Sequence, residues 1–372
     1  ELIEKYGMGT KDIIAAVKRV VRRRYPMYDV ISIGTATRDV FLMSPFFKVL
    51  RDPGHLEKLG FPTGEAECFA LGSKIDIERI ALTTGGGATN TAVTFGRQGF
   101  NAAALVTIGD DPIGKEVVAE LERERVAPLA IINRGDITAY STILLSESGE
   151  RTILSYRNPD DNLREGTIPF EKLKTAWAYL APGTIDLATL ARLIDVLHAQ
   201  GARIAINPSM HFIRYGVAAV APLLARVSVL IVNREEGAAL TGIDYRDERE
   251  IFKRLSGLVS GVVVMTDGPR GASVCDRATV WRAGIFKEER VVDRTGAGDA
   301  FGSGFVAGLI QRRETCEGGK CGADNIAYAI RLGSANGTKT VEVIGAKAGL
   351  LTKEQFEADD RWKTLTIVSE KL

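Results

Sequence analysis

The amino-acid sequence predicts an α/β protein with a doubly wound, mostly parallel sheet flanked by helices, together with a small β lid. Short apolar runs rich in β-branched residues recur along the chain, and helical patterns separate them. Two further segments interrupt this alternation with Gly and Pro turns. Strands that are apolar throughout are typical of parallel sheets buried on both faces, and their alternation with helices is typical of doubly wound folds.

The predicted strands are short and recur in a regular order. They lie at Asp29–Ile33, Ala102–Ile108, Ala176–Ala181, Arg203–Ile206, Val227–Val232 and Val262–Thr266. Helical periodicity is clearest at Pro112–Glu124, Asp186–Gln200 and Arg246–Gly257, each of which lies between two of the strands. This order predicts one sheet that is covered by helices on both faces.

Two segments are predicted to form the lid. Asp39–Thr83 contains several Gly and Pro turns, and Ile137–Arg157 has the pattern of a hairpin that turns at Ser148-Gly149. A lid over the open end of a sheet excludes water from a site beneath it and strengthens the charge interactions there. Such lids also present sheet edges, which leads us to expect a homodimer through the lid.

The regions at the two ends are predicted to be separate from the main domain. Residues 1–27 form a basic extension in which Lys11–Tyr25 has the pattern of an amphipathic helix. A solvated helix packed on the domain is favoured there over a membrane or partner role. The α/β domain is expected over residues 28–350, followed by a C-terminal tail, residues 351–372, that packs on the core.

Bulk composition narrows the possible partners and compartments. The 48 Lys and Arg residues nearly balance the 47 Asp and Glu residues, which argues against nucleic acid or a membrane surface as partner. The most apolar stretch, Val217–Val232, is shorter than a bilayer span and contains Pro222 and Arg226. Four cysteines are too few for a disulfide framework at this length, so we expect a cytoplasmic protein.

The strongest chemical motif is the run Asp293–Phe301, followed by further glycines. Apolar periodicity after Gly298 predicts that a helix begins there, so Gly296–Gly298 form a turn of small residues at the helix N-terminus. Free backbone N–H groups and the helix dipole make such an end an anion site, and the absence of bulky side chains lets phosphate approach closely.

Asp299 lies in the first turn of this predicted helix. A carboxylate beside a phosphate repels it, which suggests a chemical role such as accepting a proton from an attacking hydroxyl. The competing interpretation, a plain helix cap or first-turn charge, suits an isolated Gly-x-Gly-Asp better than it suits the whole run.

Two glycine-rich motifs carry a resemblance to a known family. Asp293–Phe305 (DRTGAGDAFGSGF) and residues 85–99 (GGGATNTAVTFGRQG) resemble the two motifs of the ribokinase-like (PfkB) family of carbohydrate and nucleoside kinases. Shorter matching elements follow the family order: Gly109-Asp110-Asp111, Asn207-Pro208, Asn233–Glu236, Thr266–Gly271 and Gly345-Ala346. The resemblance covers about residues 28–350.

The resemblance implies a ribokinase-like fold and a set of catalytic roles. Asp299 would be the general base, and the amides of Gly296, Ala297 and Gly298 would stabilise the phosphoryl charge. Asn233 and Glu236 would help to place Mg²⁺, largely through water, although a helix cap with a charged first turn explains the same pattern.

The resemblance also implies the binding residues. Asp39, Gly86 and Asn90 would bind the acceptor, while Asn233, Thr266, Gly268 and Gly271 would border the nucleotide. A monovalent cation such as K⁺ would lie near Asp293 and Thr295. The family often has a shorter Gly/Asp pattern than Thr35–Arg38 before its acceptor aspartate, which leaves the identity of the acceptor open.

The function expected from these observations is ATP- and Mg²⁺-dependent phosphorylation of a sugar hydroxyl. One alternative is a nucleoside kinase, since Phe41, Phe46 and Phe47 could stack a base or pack on the core. Another is a catalytically silent sugar or nucleotide sensor. Residues 109–115 (GDDPIGK) nearly match a phosphate-binding P-loop, but Glu116 stands where that motif needs a hydroxyl, which excludes it.

Overall fold

A computed structural model describes residues 27–60, 64–145, 151–157, 163–312 and 322–372. The predicted helix Lys11–Tyr25, the turn at Ser148-Gly149, and Cys316 with Cys321 lie outside these residues.

Sixteen strands are found in the described residues. They are β1 Tyr28–Gly34, β2 Thr37–Met43, β3 Lys48–Arg51, β4 Glu65–Cys68, β5 Arg79–Gly85, β6 Ala102–Gly109, β7 Val126–Asn133, β8 Tyr140–Leu145, β9 Arg151–Tyr156, β10 Thr175–Ala181, β11 Arg203–Ile206, β12 Val229–Asn233, β13 Val262–Thr266, β14 Ala272–Cys275, β15 Thr279–Ala283 and β16 Ile367–Lys371.

Eleven α-helices accompany these strands in the same part of the chain. They are α1 Pro53–Leu56, α2 Gly87–Arg97, α3 Pro112–Arg123, α4 Leu187–Ala199, α5 Met210–Ile213, α6 Val217–Leu224, α7 Arg234–Thr241, α8 Glu248–Ser256, α9 Ala297–Gln311, α10 Ala323–Val341 and α11 Lys353–Ala358.

The central sheet has ten strands in the order β16-β15-β14-β13-β12-β11-β10-β1-β6-β7. All pairs from β7 to β13 are parallel, and β14, β15 and β16 extend the sheet in antiparallel pairs. The eight residues of β6 are all buried, because helices cover both faces of the sheet there. The predicted fold class, a mostly parallel sheet flanked by helices, is confirmed.

Two apolar clusters form the core, one on each face of the central sheet. Helices α2, α9 and α10 contribute to the first cluster, and helices α4 and α8 contribute to the second. The largest difference between a predicted strand and the structure is at the start of β12, which begins at Val229 rather than at Val227. Val227 is fully buried as expected, but its N–H donates to the carbonyl of Leu224, so it belongs to the turn after α6 rather than to β12.

A second, four-stranded sheet has the order β5-β2-β8-β9, and we call it the lid sheet. Strands β2 and β8 are parallel, while β5 and β9 pair antiparallel with them and form the two edges. A separate pair, β3 with β4, lies between β2 and β5 in the chain. The segments predicted to form the lid supply all of these strands.

One strand near the C-terminus, β16, extends the central sheet. Strand β16 pairs with β15, and Trp362 is buried with its ring centroid 5.1 Å from that of Phe286. No helix among the described residues is both long enough and apolar enough to span a bilayer.

Candidate active site

The predicted anion turn precedes helix α9. Gly296 has φ 78° and is the N-cap residue. A Cβ at Gly296 would collide with Ala346, so glycine is required by both the backbone conformation and the space. Ala297 and Gly298 are the first two residues of the helix, and Gly298 is exposed. Since first-turn N–H groups lack intrahelical acceptors, this turn can offer amides to an anion.

Asp299 lies one residue further along α9 and is half-buried. Its Oδ2 accepts a hydrogen bond of 2.9 Å from Nδ2 of Asn90. Burial raises the pKa of Asp299, the hydrogen bond from Asn90 lowers it, and the nearby charge of Asp39 raises it again, with a net increase. A carboxylate with a raised pKa is a stronger base near neutral pH, so its environment suits proton abstraction.

Asn90 lies in the first turns of helix α2, which begins after Gly86. Gly86 has φ 97°, and a Cβ there would contact the backbone of Thr35 and Ala36. The side chain of Asn90 is buried, and its Oδ1 has no hydrogen-bond partner within the described part of the chain. Oδ1 of Asn90 is therefore available to a ligand, while its Nδ2 holds Asp299.

Asp39 lies on β2 of the lid sheet and is buried. Its Oδ1 accepts a 3.0 Å hydrogen bond from Thr37, and its Oδ2 lies against Gly85, where a Cβ would collide with it. Burial raises the pKa of Asp39, and Asp293 adds to the increase, while hydrogen bonds and the charge of Lys347 oppose it. Asp39 acts electrostatically on Asp299, so the structure brings the predicted acceptor residues to one place.

A cavity of about 210 Å³ adjoins the anion turn. Its walls are Thr266, Gly268, Pro269, Gly271, Ile285, Glu288, Arg294, Ala297, Gly298, Phe301, Ser334, Gly337, Thr338 and Val341. Three of the four residues predicted to border the nucleotide line this cavity together with the anion turn. The fourth, Asn233, does not line it; it ends β12, paired in register with Thr266.

Asn233 and Glu236 form a capping box at the start of α7. Oδ1 of Asn233 accepts from the N–H of Glu236 at 2.8 Å, and Oε2 of Glu236 accepts from the N–H of Asn233 at 2.8 Å. Burial raises the pKa of Glu236, against the hydrogen bond from Asn233. The described residues contain no group of three or more His, Cys, Asp or Glu that could hold a metal ion. Were Mg²⁺ bound with a nucleotide here, Asn233 and Glu236 would contact it through water.

Asp293 and Thr295 lie just before the anion turn. Asp293 is buried and accepts hydrogen bonds from the N–H groups of Thr295, at 2.9 Å, and Gly345, at 3.3 Å. Oγ1 of Thr295 is buried and lacks a hydrogen-bond partner within the ranges that the structure describes. An orphaned oxygen beside a buried carboxylate fits the expected monovalent cation.

The aromatic residues considered for base stacking have different surroundings. Phe41 is fully buried, and Phe47 is buried with its ring centroid 5.7 Å from that of Phe69. Phe46 is 58% exposed. Phe41 and Phe47 therefore serve as packing residues, and Phe46 is the one of the three that is free to contact a ligand.

One charged residue close to this site was missed from the sequence. Lys347 is buried beside Thr84 and Glu120, and its charge acts on Asp39. The sequence feature that could have pointed to it is a single lysine among the small residues that follow the Gly345-Ala346 element.

Comparisons with known proteins show which family the sequence matches. The model of the pfkB family carbohydrate kinases matches residues 63–353. The ribokinase of Haemophilus influenzae is 24% identical over 294 residues, covering 76% of this chain and 89% of the relative. The probable fructokinase-6, chloroplastic, of Arabidopsis thaliana is 27% identical over 297 residues, covering 76% of each chain.

A solved structure shows the same fold. The adenosine kinase from Sinorhizobium meliloti superposes with a TM-score of 0.66 at 21% identity, covering 89% of this chain and 99% of that one. The family expected from the two glycine-rich motifs is thus confirmed. Because the family model spans most of the sequence, the chain belongs to the pfkB family of carbohydrate kinases and is a sugar or nucleoside kinase, a phosphotransferase with an alcohol group as acceptor.

Proposed function

We propose that the protein transfers the γ-phosphoryl group of ATP to a hydroxyl of a sugar, with Asp299 as general base. One observation carries this proposal. The exposed start of helix α9 borders the cavity, and the next residue, Asp299, is held by Asn90 of the acceptor side. A phosphate on the amides and a hydroxyl beside Asn90 would therefore both be close to the same carboxylate.

The proposed reaction is an in-line displacement. The acceptor hydroxyl gives its proton to Asp299 as its oxygen bonds to the γ-phosphorus. The bond from that phosphorus to the β–γ bridging oxygen breaks, and ADP leaves with the electron pair. The amides of the Gly296–Gly298 turn stabilise the charge on the transferring group, the kind of preorganised stabilisation that dominates phosphoryl transfer.

Two ions are proposed to support this chemistry. Mg²⁺ bound with the nucleotide would neutralise phosphate charge, and Asn233 and Glu236 would contact it through water. A monovalent cation would be held by Asp293 and Thr295, where a buried hydroxyl oxygen lacks a protein partner among the described residues.

Polar groups around Asp39 support a sugar as acceptor. A polyol presents neighbouring hydroxyls, and the carboxylate of Asp39 can accept from them, as can the free Oδ1 of Asn90. The second candidate is a nucleoside kinase, which the exposed ring of Phe46 favours. Since Phe41 and Phe47 are already packed in the protein, base stacking would depend on Phe46 alone among the three lid aromatics.

An acceptor panel tests the proposed function. The protein is incubated with ATP and Mg²⁺ and with D-ribose, D-fructose or adenosine, and ADP and the phosphorylated acceptor are both measured. Phosphorylation of a sugar is expected. Turnover of adenosine alone would establish the nucleoside kinase, and ATP binding without any turnover would leave the silent sensor. Stabilisation against heat by each acceptor provides a parallel measure of binding.

Homodimerisation through the lid sheet is proposed from its surface. Ile80 and Leu82 on the edge strand β5 are 62% and 57% exposed, and Leu154 on the opposite edge strand β9 is 57% exposed. Apolar side chains on open strand edges favour association with a second chain. The mass in solution is expected to be that of a dimer, and a monomeric mass would rule this arrangement out.

We also propose that the protein works in a reducing, cytoplasmic compartment. Among the described residues, Cys68 is an exposed free thiol and Cys275 is a buried one. Free thiols agree with a reducing environment.

A further inference from the structure

A buried ammonium group lies next to the acceptor side of the site. The side chain of Lys347 is 5% exposed. Its Nζ donates to Oγ1 of Thr84 and lies 3.4 Å from Oε2 of Glu120 on helix α3. Burial lowers the pKa of Lys347, while the charges of Glu120, Asp39 and Glu124 raise it, with a net decrease. Because burying a cation is costly, its retention at this position requires a reason.

Lys347 contacts Thr84 on β5, and the preceding residue of that strand, Thr83, pairs with Asp39 on β2. Thr84, which Lys347 contacts, is followed on β5 by Gly85, and Gly85 lies directly against Oδ2 of Asp39. The other charges acting near Asp39 are acidic, namely Asp293 and Asp299. The charge of Lys347 lowers the pKa of Asp39.

The residues before Lys347 connect it to the phosphate side of the site. The N–H of Gly345 donates to Asp293, and Ala346 packs against Gly296 of the anion turn. The carbonyl of Lys347 itself accepts a 2.9 Å hydrogen bond from Arg97 on helix α2. Three consecutive residues therefore join the anion turn to the strands that carry Asp39, which restricts where the ammonium can lie.

We propose that Lys347 is a positioning residue of the acceptor site, whose buried ammonium keeps Asp39 charged and in place to accept hydrogen bonds from the acceptor hydroxyls. This inference rests on the proposed function, in which Asp39 binds the acceptor. It predicts that removing the charge of Lys347 weakens acceptor binding while leaving nucleotide binding unchanged.

The competing explanation is structural. Lys347 would then serve only to neutralise Glu120, and its loss would act through the unpaired buried carboxylate. The two explanations differ in the effect of removing both charges together. In Lys347→Met/Glu120→Gln the ion pair is absent as a unit, so a purely structural role predicts recovery, whereas a role at Asp39 predicts that the defect persists.

The test compares the wild type, Lys347→Met, Lys347→Met/Glu120→Gln and a control, Lys339→Met, which removes a lysine ion-paired to Glu342 at 2.9 Å. The Michaelis constants for D-ribose, D-fructose and adenosine, kcat, and the dissociation constant for ATP are measured, together with thermal unfolding. Both Lys347 variants are expected to raise the KM of the accepted substrate at least about tenfold, or about 1.4 kcal/mol, with ATP affinity within about twofold of wild type. The control is expected to leave both values unchanged.

The pH dependence gives a second readout. Loss of the ammonium removes a charge that lowers the pKa of Asp39, while the opposing charge of Asp293 and the hydrogen bonds from Thr37 and Ser141 remain, so this pKa rises further. The acid-side fall of kcat/KM for the acceptor should therefore move to higher pH in both Lys347 variants. A shift in neither variant would contradict the proposal.

Each outcome assigns a cause. If the wild type turns over an acceptor and the double variant regains the wild-type KM, the role of Lys347 is structural. The inference about Lys347 then fails, while the proposed function stands. If the single variant does not fold, the folded double variant decides. If the wild type phosphorylates none of the three probes, the proposed function fails, and the inference fails with it.

Discussion

Burial and one hydrogen bond define the environment of the Asp299 carboxylate. Helix α9 presents it beside exposed amides, and Asn90 fixes one of its oxygens at 2.9 Å. Its pKa is raised first by burial, against the effect of Asn90, and raised further by Asp39. No side-chain hydrogen bond caps the N-terminus of α9, where the N-cap residue is Gly296, and Asp299 is the acidic residue of the first turn.

Replacing Asp299 with Asn is predicted to lower kcat by about 10²–10⁴-fold, because the amide keeps the shape but cannot accept the proton. The measurement is initial rate at saturating ATP and acceptor, with ATP affinity determined separately. Affinity for ATP should change little, since the backbone amides remain in place. Turnover close to that of the wild type would remove Asp299 from the role of base.

At the scale of an element, helix α7 begins with a sequence pattern that suits two different roles. The sequence Asn-x-x-Glu was interpreted either as a metal-placing element or as a cap, and the structure shows the reciprocal capping box of Asn233 and Glu236. Capping occupies one oxygen of each side chain. The other oxygen of Glu236 remains available to a hydrated ion, so the two roles are compatible.

Glu236→Gln separates these roles, because glutamine retains an oxygen for the cap but loses the charge. The Mg²⁺ concentration that gives half-maximal activity should rise several-fold, while the melting temperature stays near that of the wild type. Helix α11 offers a matched control, since Thr352 and Gln355 form a second capping box. Thr352→Ala should lower the free energy of unfolding by about 1 kcal/mol without changing the Mg²⁺ requirement. An unchanged Mg²⁺ requirement in Glu236→Gln would show that Glu236 serves only to cap helix α7.

For the whole molecule, the C-terminal region is tied to helix α10 by a charged cluster. Glu342 accepts hydrogen bonds from Arg361, from the N–H of Glu289 and from Lys339. Burial acts to raise the pKa of Glu342, but these three partners outweigh it and lower the pKa to about 2. This cluster joins the tail to helix α10, whose residues line the cavity beside the anion turn.

A lowered pKa makes this cluster a source of pH-dependent stability. The stabilisation is complete above the unfolded-state pKa of 4.5 and is lost as pH falls through the folded value of about 2. Glu342→Gln is predicted to lower the free energy of unfolding at pH 7 by about 2–3 kcal/mol, and by much less near pH 2. Denaturant unfolding at the two pH values measures the difference. An equal loss at both would show that the carboxylate charge is not responsible.

Local patterns predicted much of the fold and part of the site. The strand Arg203–Ile206 and the strand Val262–Thr266 match the structure residue for residue, because buried parallel strands are continuous apolar runs. Gly296 of the anion turn was visible because a left-handed backbone and close packing against Ala346 require glycine there, whereas a Cβ at Gly298 would meet no neighbour. The acceptor role predicted for Asn90, in contrast, came through family resemblance, since its hydrogen-bond partner Asp299 lies 209 positions away in the chain.

The sequence by itself determined the α/β fold class, the family, and the turn that can bind phosphate, because each is encoded in short runs of neighbouring residues. Tertiary structure alone decided which distant side chains meet. It brought Lys347 into contact with Thr84 on β5 and buried Phe41. It also left Asn233 outside the lining of the cavity. These outcomes depend on how the faces of sheets and helices pack together, and no local pattern specifies the partner of a buried charge.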